Sequence, residues 1–171
     1  MARSPLSLAA GLAAAFMSLA GVAAAQSERI SVYLHDEVVG KLTADTQGDE
    51  TRVSFEWQSN GRGPDLEEVI RFRGDVPVEW TVSGASMMGG SVDERYVYEN
   101  GAGIWNSAAD SGNVAQEAPP VYINNDGSPW RLGVLTRILL ADADQRREVL
   151  PSGAISLKKV RDVEMGEGAN D

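Results

Sequence analysis

The chain has no cysteine and only one histidine, His35. The lack of cysteine excludes a disulfide framework, thiolate chemistry and an acylated lipoprotein cysteine. One imidazole without thiols cannot supply a zinc ligand set, and Asp36 would point to the opposite side of a strand from His35. We therefore expect His35 to be an ordinary surface residue. No catalytic residue, metal site or cofactor is predicted for this chain, which we do not expect to be an enzyme by itself.

Basic residues are also scarce, with 15 Lys and Arg against 25 Asp and Glu, which gives a formal net charge of -10. Such a chain repels phosphate backbones and anionic membranes on average, so nucleic acid is not an expected partner. The acidic residues are scattered along the chain rather than gathered in one block. Their simplest role is to keep the protein soluble.

The first 25 residues contain one charged residue, Arg3, followed by an Ala-, Gly- and Leu-rich stretch that ends in three alanines. This pattern predicts a signal peptide over residues 1–25 that forms an N-terminal helix, cleavage near Ala25 and a periplasmic or extracellular mature protein. The alternative is a membrane anchor, since Leu6–Ala25 is about long enough to span a bilayer. Weakly lipophilic Ala and Gly and the absence of a following Lys/Arg cluster favour cleavage. No stable membrane insertion is then expected.

Apolar and polar residues alternate along most of the remaining chain, for example in Arg29–Leu34 and Arg52–Trp57. A period of two predicts strands with one buried face. Asn60-Gly61 and Asn100-Gly101 favour tight hairpin turns between such strands. We therefore predict a mainly β domain over residues 26–163. It would be an antiparallel meander, strongly curved or partly closed, followed by a flexible tail over residues 164–171.

One helix is predicted, from Pro129 to Ala141, with Ser128 as its cap. Its apolar face would consist of Leu132, Leu135, Ile138 and Leu139. The stretch Ala108–Pro120 has the composition of a surface loop. A final strand is expected over Ala154–Val163, after a turn at residues 151–153.

Two patterns resemble functional sites but favour simpler interpretations. Glu67 with Glu68 and Asp93 with Glu94 are adjacent carboxylates, which point to opposite faces of a strand and cannot work as an acid and base pair. We expect them to be solvated. The segment from Tyr122 to Gly133 partly matches a calcium loop, but neither of its end positions supplies a carboxylate. A turn that precedes the helix is the preferred interpretation.

Five aromatic side chains are candidates for a ligand or partner surface. They could line a pocket for an apolar ligand, or they could fill the core of a β domain. Core filling is the favoured alternative. The candidates are Trp57, Trp80, Trp105, Trp130 and Tyr98.

Residues Asp126–Ala141, then Leu150–Ala154 leading into Ile155, Leu157 and Val160, resemble a known family. They are similar to the β-rich module that precedes the metal-dependent barrel in secreted amidohydrolase-superfamily enzymes of the imidazolonepropionase-like group. The resemblance implies hydrolysis of amide or related bonds at a metal site built from a His-x-His pair, further histidines and an Asp. All of those ligands belong to the barrel, so no catalytic residue is transferred to this chain.

The sequence thus supports two hypotheses. The favoured one is a non-catalytic accessory or remnant domain that packs on a hydrolase barrel, or associates with itself through an unpaired edge of the predicted strand Ala154–Val163. A monomer–dimer equilibrium is expected from that edge. The alternative is a free-standing periplasmic carrier that binds an apolar or lipid-like ligand.

Overall fold

The structure is a computed structural model that describes residues 25–162. The predicted signal peptide, apart from Ala25, and the predicted tail over residues 164–171 lie outside this range. The prediction of a mainly β domain with one helix is confirmed. The elements are β1 (Gln26–Leu34), β2 (Glu37–Gln47), β3 (Glu50–Trp57), β4 (Asp65–Arg73), β5 (Val76–Ala85), β6 (Ser91–Glu99), β7 (Ala102–Asn106), β8 (Ser111–Ala115), β9 (Val121–Tyr122), α1 (Trp130–Ala141), β10 (Arg146–Leu150) and β11 (Ala154–Ser156).

The first eight strands form one antiparallel sheet in chain order. Each strand pairs with the next, as the short connections predict. The turn after β6 has positive φ at both Asn100 (51°) and Gly101 (75°), and Asn60 and Gly61 have φ of 54° and 71°. Asn-Gly dipeptides therefore form the tight turns that favour a meander.

The predicted strong curvature or partial closure of the sheet is wrong. Within residues 25–162, β1 pairs only with β2 and β8 only with β7, so the sheet stays open with two edges. Alternation along a strand determines which side chains share a face. It does not determine the stagger between strands on which closure depends.

A second layer covers part of one face of this sheet, which we call the core face. It consists of α1 and a three-stranded sheet in the order β11-β10-β9. The predicted strand Ala154–Val163 is much shorter than expected, because β11 ends at Ser156. Ser156 pairs with Arg146, the first residue of β10, so residues further along have no neighbouring strand.

The predicted loop Ala108–Pro120 also contains a strand, β8, which pairs with β7 over all five residues. Its sequence has little β propensity. A Cβ on Gly112 would lie 2.5 Å from the ring of Trp105, so only glycine fits there. The backbone ladder and this close approach form the strand, and composition alone could not reveal them.

The helix starts at Trp130, one residue later than predicted, and its N-cap residue is Pro129 rather than the predicted Ser128. The Ser128 hydroxyl still accepts a hydrogen bond from the Trp130 backbone N–H at 3.3 Å. Its buried residues are Val134, Ile138 and Leu139. The predicted face was therefore partly wrong, since Leu132 is 63% exposed. At 3.6 residues per turn, Leu132 lies about 120° around the helix from Ile138. With 12 residues, α1 is too short to cross a membrane, and no other helix among residues 25–162 could do so.

The opposite face of the sheet is solvated and carries ion pairs across β3, β4, β5 and β6. Arg71 contacts Glu50 at 2.9 Å and Glu79 at 3.1 Å, and Arg95 contacts Glu79 at 3.1 Å. The hydrogen bond from Arg71 lowers the pKa of the Glu50 carboxyl below its usual value. This row of charges therefore contributes to the pH dependence of folding.

We expect Arg71→Gln to flatten the loss of stability in acid. Because the pKa of Glu50 is lower in the folded state, its contribution is present above the unfolded pKa of about 4.3 and is lost as the pH falls through the folded value. Urea midpoints of wild type and variant should differ at pH 7 and approach each other as the pH falls below the unfolded pKa. Arg62→Gln, in an exposed turn, is the control. A difference that persists unchanged in acid would contradict this origin.

Candidate functional site

An open groove lies between the core face of β1–β3 and the helix. Ile30 of β1 pairs with Leu42 of β2, and Leu42 pairs with Phe55 of β3, so these three side chains form one cross-strand row. Leu42 and Phe55 are almost fully buried, whereas Ile30 is 50% exposed. The second layer therefore stops short of β1. We call the resulting space, about 390 Å³ in volume, the β1 groove.

The helix forms the other wall of the β1 groove through Trp130, Gly133 and Arg137. Spacings of three and four residues place these three positions on one face of α1. Gly133 has no heavy atom within 4 Å of where a Cβ would lie, so the groove passes directly over its backbone. The Trp130 Nε1 donor is buried and makes no hydrogen bond with the described residues. Apart from Glu28 and Arg137, the lining is almost entirely apolar.

Two buried carboxylates position the helix against the sheet. Glu68 of β4 and Glu94 of β6 are 1% and 2% exposed, and both are opposite Val82 of β5. They therefore lie in one row on the core face, two strands or about 10 Å apart. The expectation that both would be solvated is wrong. Alternation itself was correct, because their neighbours Glu67 and Asp93 are exposed.

Glu94 binds the loop over residues 123–129, which we call the pre-helix loop. Its carboxylate accepts hydrogen bonds from the backbone N–H groups of Asn125 at 2.8 Å and Asp126 at 3.0 Å. The Tyr122 hydroxyl, just before the loop, donates to the same carboxylate at 2.6 Å. Backbone donors thus supply the partners that a buried charge requires.

Glu68 binds the end of the same loop. It accepts hydrogen bonds from the Ser128 backbone N–H at 2.5 Å and from Trp80 Nε1 at 2.8 Å. Because α1 starts two residues after Ser128, the carboxylate also lies near the positive end of the helix dipole, which is a favourable location for an anion. Glu68 and Glu94 together determine where the helix begins.

The contacts of the pre-helix loop also bear on the partial calcium-loop pattern. A calcium loop directs oxygen atoms towards its centre, whereas this loop directs the N–H groups of Asn125 and Asp126 at a carboxylate. Asn124 is 2% exposed, and neither polar atom of its side chain makes a hydrogen bond with the described residues. A Cβ on Gly127 would lie 2.2 Å from the Asn124 amide, so the loop packs tightly around that side chain.

Two stacked tyrosines lie beside Glu94. The rings of Tyr96 and Tyr122 are 4.8 Å apart and nearly parallel. Burial raises the pKa of both phenols well above the ordinary value, and the hydrogen bond to Glu94 raises that of Tyr122 further. Both hydroxyls therefore stay protonated donors, and the Tyr96 hydroxyl donates to the Pro120 carbonyl at 3.0 Å.

Four of the five predicted site residues are spread over the core face, and the fifth, Trp130, lies on α1. Trp80, Trp105 and Tyr98 are buried in the core, where Trp105 Nε1 donates to Asp110 and the Tyr98 hydroxyl donates to the Gln116 carbonyl. Trp57 is partly buried against the same core. Trp130 lines the β1 groove. The aromatic residues do not form one continuous surface.

Sequence reasoning missed both the groove and the buried carboxylates. A signal for the carboxylates was present, because Glu68 is in phase with buried Leu66 and Ile70, and Glu94 with buried Val92 and Tyr96. A charged residue within an apolar row indicates either an error of register or a bound partner. The groove had no such signal, because it depends on where the second layer ends.

The described part of the chain offers no group of metal ligands. Residues 25–162 contain no cluster of three or more His, Asp and Glu side chains placed to hold an ion. His35 lies exposed in the turn between β1 and β2, with φ of 56°. No protein-family profile, curated protein or solved structure matches the chain. The resemblance to the amidohydrolase module stays a prediction.

Proposed function

We propose that this chain is a secreted, non-catalytic accessory module that packs on a partner, of which a hydrolase barrel of the amidohydrolase type is the favoured kind. One observation carries the proposal, namely the free edge of β1. This strand has nine residues, and none of them is fully buried. A long exposed edge with unpaired backbone groups is a site for pairing with another chain.

The apolar residues at the end of this edge strengthen the argument. Tyr33, Leu34 and Val38 surround the turn between β1 and β2 and are 63%, 45% and 61% exposed. Adjacent exposed side chains of this size are typical of an interaction surface. The three-residue β11 offers a much shorter edge than the predicted strand Ala154–Val163. We therefore assign association to β1.

We expect the mature chain to reach a monomer–dimer equilibrium at high concentration in sedimentation velocity runs. The double variant Leu34→Lys/Val38→Lys should sediment as a monomer, because one charge at the end of β1 and a second beside it on β2 oppose strand pairing. Leu140→Lys, at an exposed helix position outside this edge, is the matched control and should dimerise like wild type. A single sharp monomer of wild type at high concentration would count against the proposal.

The identity of the partner has a separate test, which uses the coding sequence downstream of this chain in the gene. An open reading frame that continues into a barrel with a His-x-His pair would support the hydrolase assignment. Unrelated coding sequence at that position would contradict it, while leaving the association test unaffected.

The β1 groove favours a second candidate, a periplasmic carrier of an apolar or lipid-like ligand. Its volume of about 390 Å³ and its mostly apolar lining suit a small ligand. Native mass spectrometry of protein recovered from its host should then show a retained ligand. Mass spectra of the bare chain alone, under conditions that preserve other carriers, would oppose this candidate.

A further inference from the structure

Polarity changes along the core face of β1. The side chains of Gln26, Glu28, Ile30 and Val32 share this face, because their partners on β2 alternate in the same way. The first two are polar or charged and the last two are apolar. One side of a single strand therefore changes from polar to apolar within seven residues.

A second, polar space continues the β1 groove towards the start of the strand. It has a volume of about 330 Å³ and is lined by residues that include Gln26, Thr46, Asp49 and Asp75. Glu28 and Arg137 line both spaces, so the two adjoin at these residues. The combined groove has an apolar end beneath Trp130 and a polar end beyond Arg137.

Charges follow a definite order along this groove. Arg137 stands at the junction, and none of the ion pairs of residues 25–162 includes it. Asp49 and Asp75 are exposed and lie on the polar side only. From its apolar end, the groove therefore presents first an apolar wall, then the cation of Arg137 with Glu28 beside it. The carboxylates of Asp49 and Asp75 come last.

We propose that the combined groove binds a single-chain zwitterionic amphiphile of the lysophospholipid type. The alkyl chain covers Ile30, Leu42 and Phe55, the phosphate binds Arg137, and the terminal ammonium lies towards Asp49 and Asp75. In such lipids the phosphate is next to the chain and the ammonium is distal, which matches the order of the charges. The apolar space is at the small end of ligand pockets, which favours one chain over two.

Other amphiphiles match the charges less well. A head group that carries only a negative charge would be repelled by the carboxylates of Glu28, Asp49 and Asp75. A head group that carries only a positive charge would be repelled by Arg137. This site deepens the carrier candidate above and rests on it. The accessory-module proposal stands independently, because its test is the association state.

The probe for this site is dodecylphosphocholine below its critical micelle concentration, titrated calorimetrically into the mature chain. Tridecanoate and dodecyltrimethylammonium have an alkyl chain of the same length with only one charge each. We expect one site per chain and at least about tenfold tighter binding of dodecylphosphocholine than of either, the difference that one charged contact contributes. Equal affinity for the three probes, or no saturable binding, would overturn the proposal.

Substitutions on the helix test the two halves of the groove. Gly133→Leu fills the apolar half without a clash at Cβ, and we expect at least about tenfold weaker binding of the probe. Thr136→Leu, exposed on the same helix, should leave binding unchanged. Arg137→Gln should reduce the preference for dodecylphosphocholine over dodecyltrimethylammonium, whereas Arg62→Gln should retain it. Circular dichroism of each variant verifies the fold.

The same variants separate a lipid from a protein occupant. A second copy of the chain seated in the groove would make Gly133→Leu abolish dimerisation and leave probe binding unaffected. That result would overturn the proposal for the amphiphile. Loss of probe binding with unchanged dimerisation would support it and would place association elsewhere on the molecule.

Discussion

Glu94→Gln is expected to reduce the free energy of unfolding by about 3 kcal/mol. The carboxylate accepts hydrogen bonds from three donors, Tyr122 and the backbone N–H groups of Asn125 and Asp126. A glutamine keeps one accepting oxygen and turns an amide N–H₂ towards donors, so at least one buried donor loses its partner. Denaturant unfolding at neutral pH measures the loss.

The neighbouring carboxylate provides the matched control for this prediction. Asp93 precedes Glu94 on β6 but is exposed, so Asp93→Asn should change stability by no more than about 0.5 kcal/mol. Tyr122→Phe removes a single donor and should fall between the two. A loss below about 1 kcal/mol for Glu94→Gln would show that the pre-helix loop is held by other contacts.

Gly84→Ala is expected to destabilise the sheet by at least about 3 kcal/mol. Gly84 lies on β5 between Leu66 of β4 and Val92 of β6, with φ of 130°, a conformation that other residues rarely adopt. An added Cβ would lie 2.0 Å from the Asp65 carbonyl oxygen. Either β4 or β5 must move, and both are central strands.

Gly133→Ala is the contrasting substitution. Nothing lies within 4 Å of its added Cβ, so the change should stabilise the helix by about 1 kcal/mol. The midpoints of thermal and denaturant unfolding should therefore fall for Gly84→Ala and rise for Gly133→Ala. Equal shifts would mean that glycine flexibility, rather than the close approach at Gly84, dominates both positions.

Much of the fold could be predicted from local signals. Alternation located β1, β3, β5, β6 and β7, and the Asn60-Gly61 and Asn100-Gly101 turns indicated a meander. The segment Asp65–Phe72, whose apolar spacing would also suit a helical turn, lies in β4. These features depend on residues that are close in sequence, so one amino-acid sequence is sufficient to predict them.

Features that depend on distant parts of the chain were missed. Whether the sheet closes depends on stagger between strands, and β8 depends on the close approach of Gly112 to Trp105. The buried face of α1 is centred on Ile138, because packing against the sheet determines which side of the helix is buried. The phase of Glu68 and Glu94 with buried apolar residues indicated burial, but several of their partners are backbone donors from the pre-helix loop, which have no residue signature.

The two buried carboxylates have a further consequence for how the molecule can move. They fasten the start of α1 to β4 and β6, in the middle of the sheet, and leave β1 without a tie of this kind to the helix. Because β1 pairs on one side only and none of its residues is fully buried, this strand can open locally while the central strands remain assembled. A ligand can then enter the β1 groove beneath this strand. The free energy of this local opening is a small fraction of that needed to unfold the whole domain.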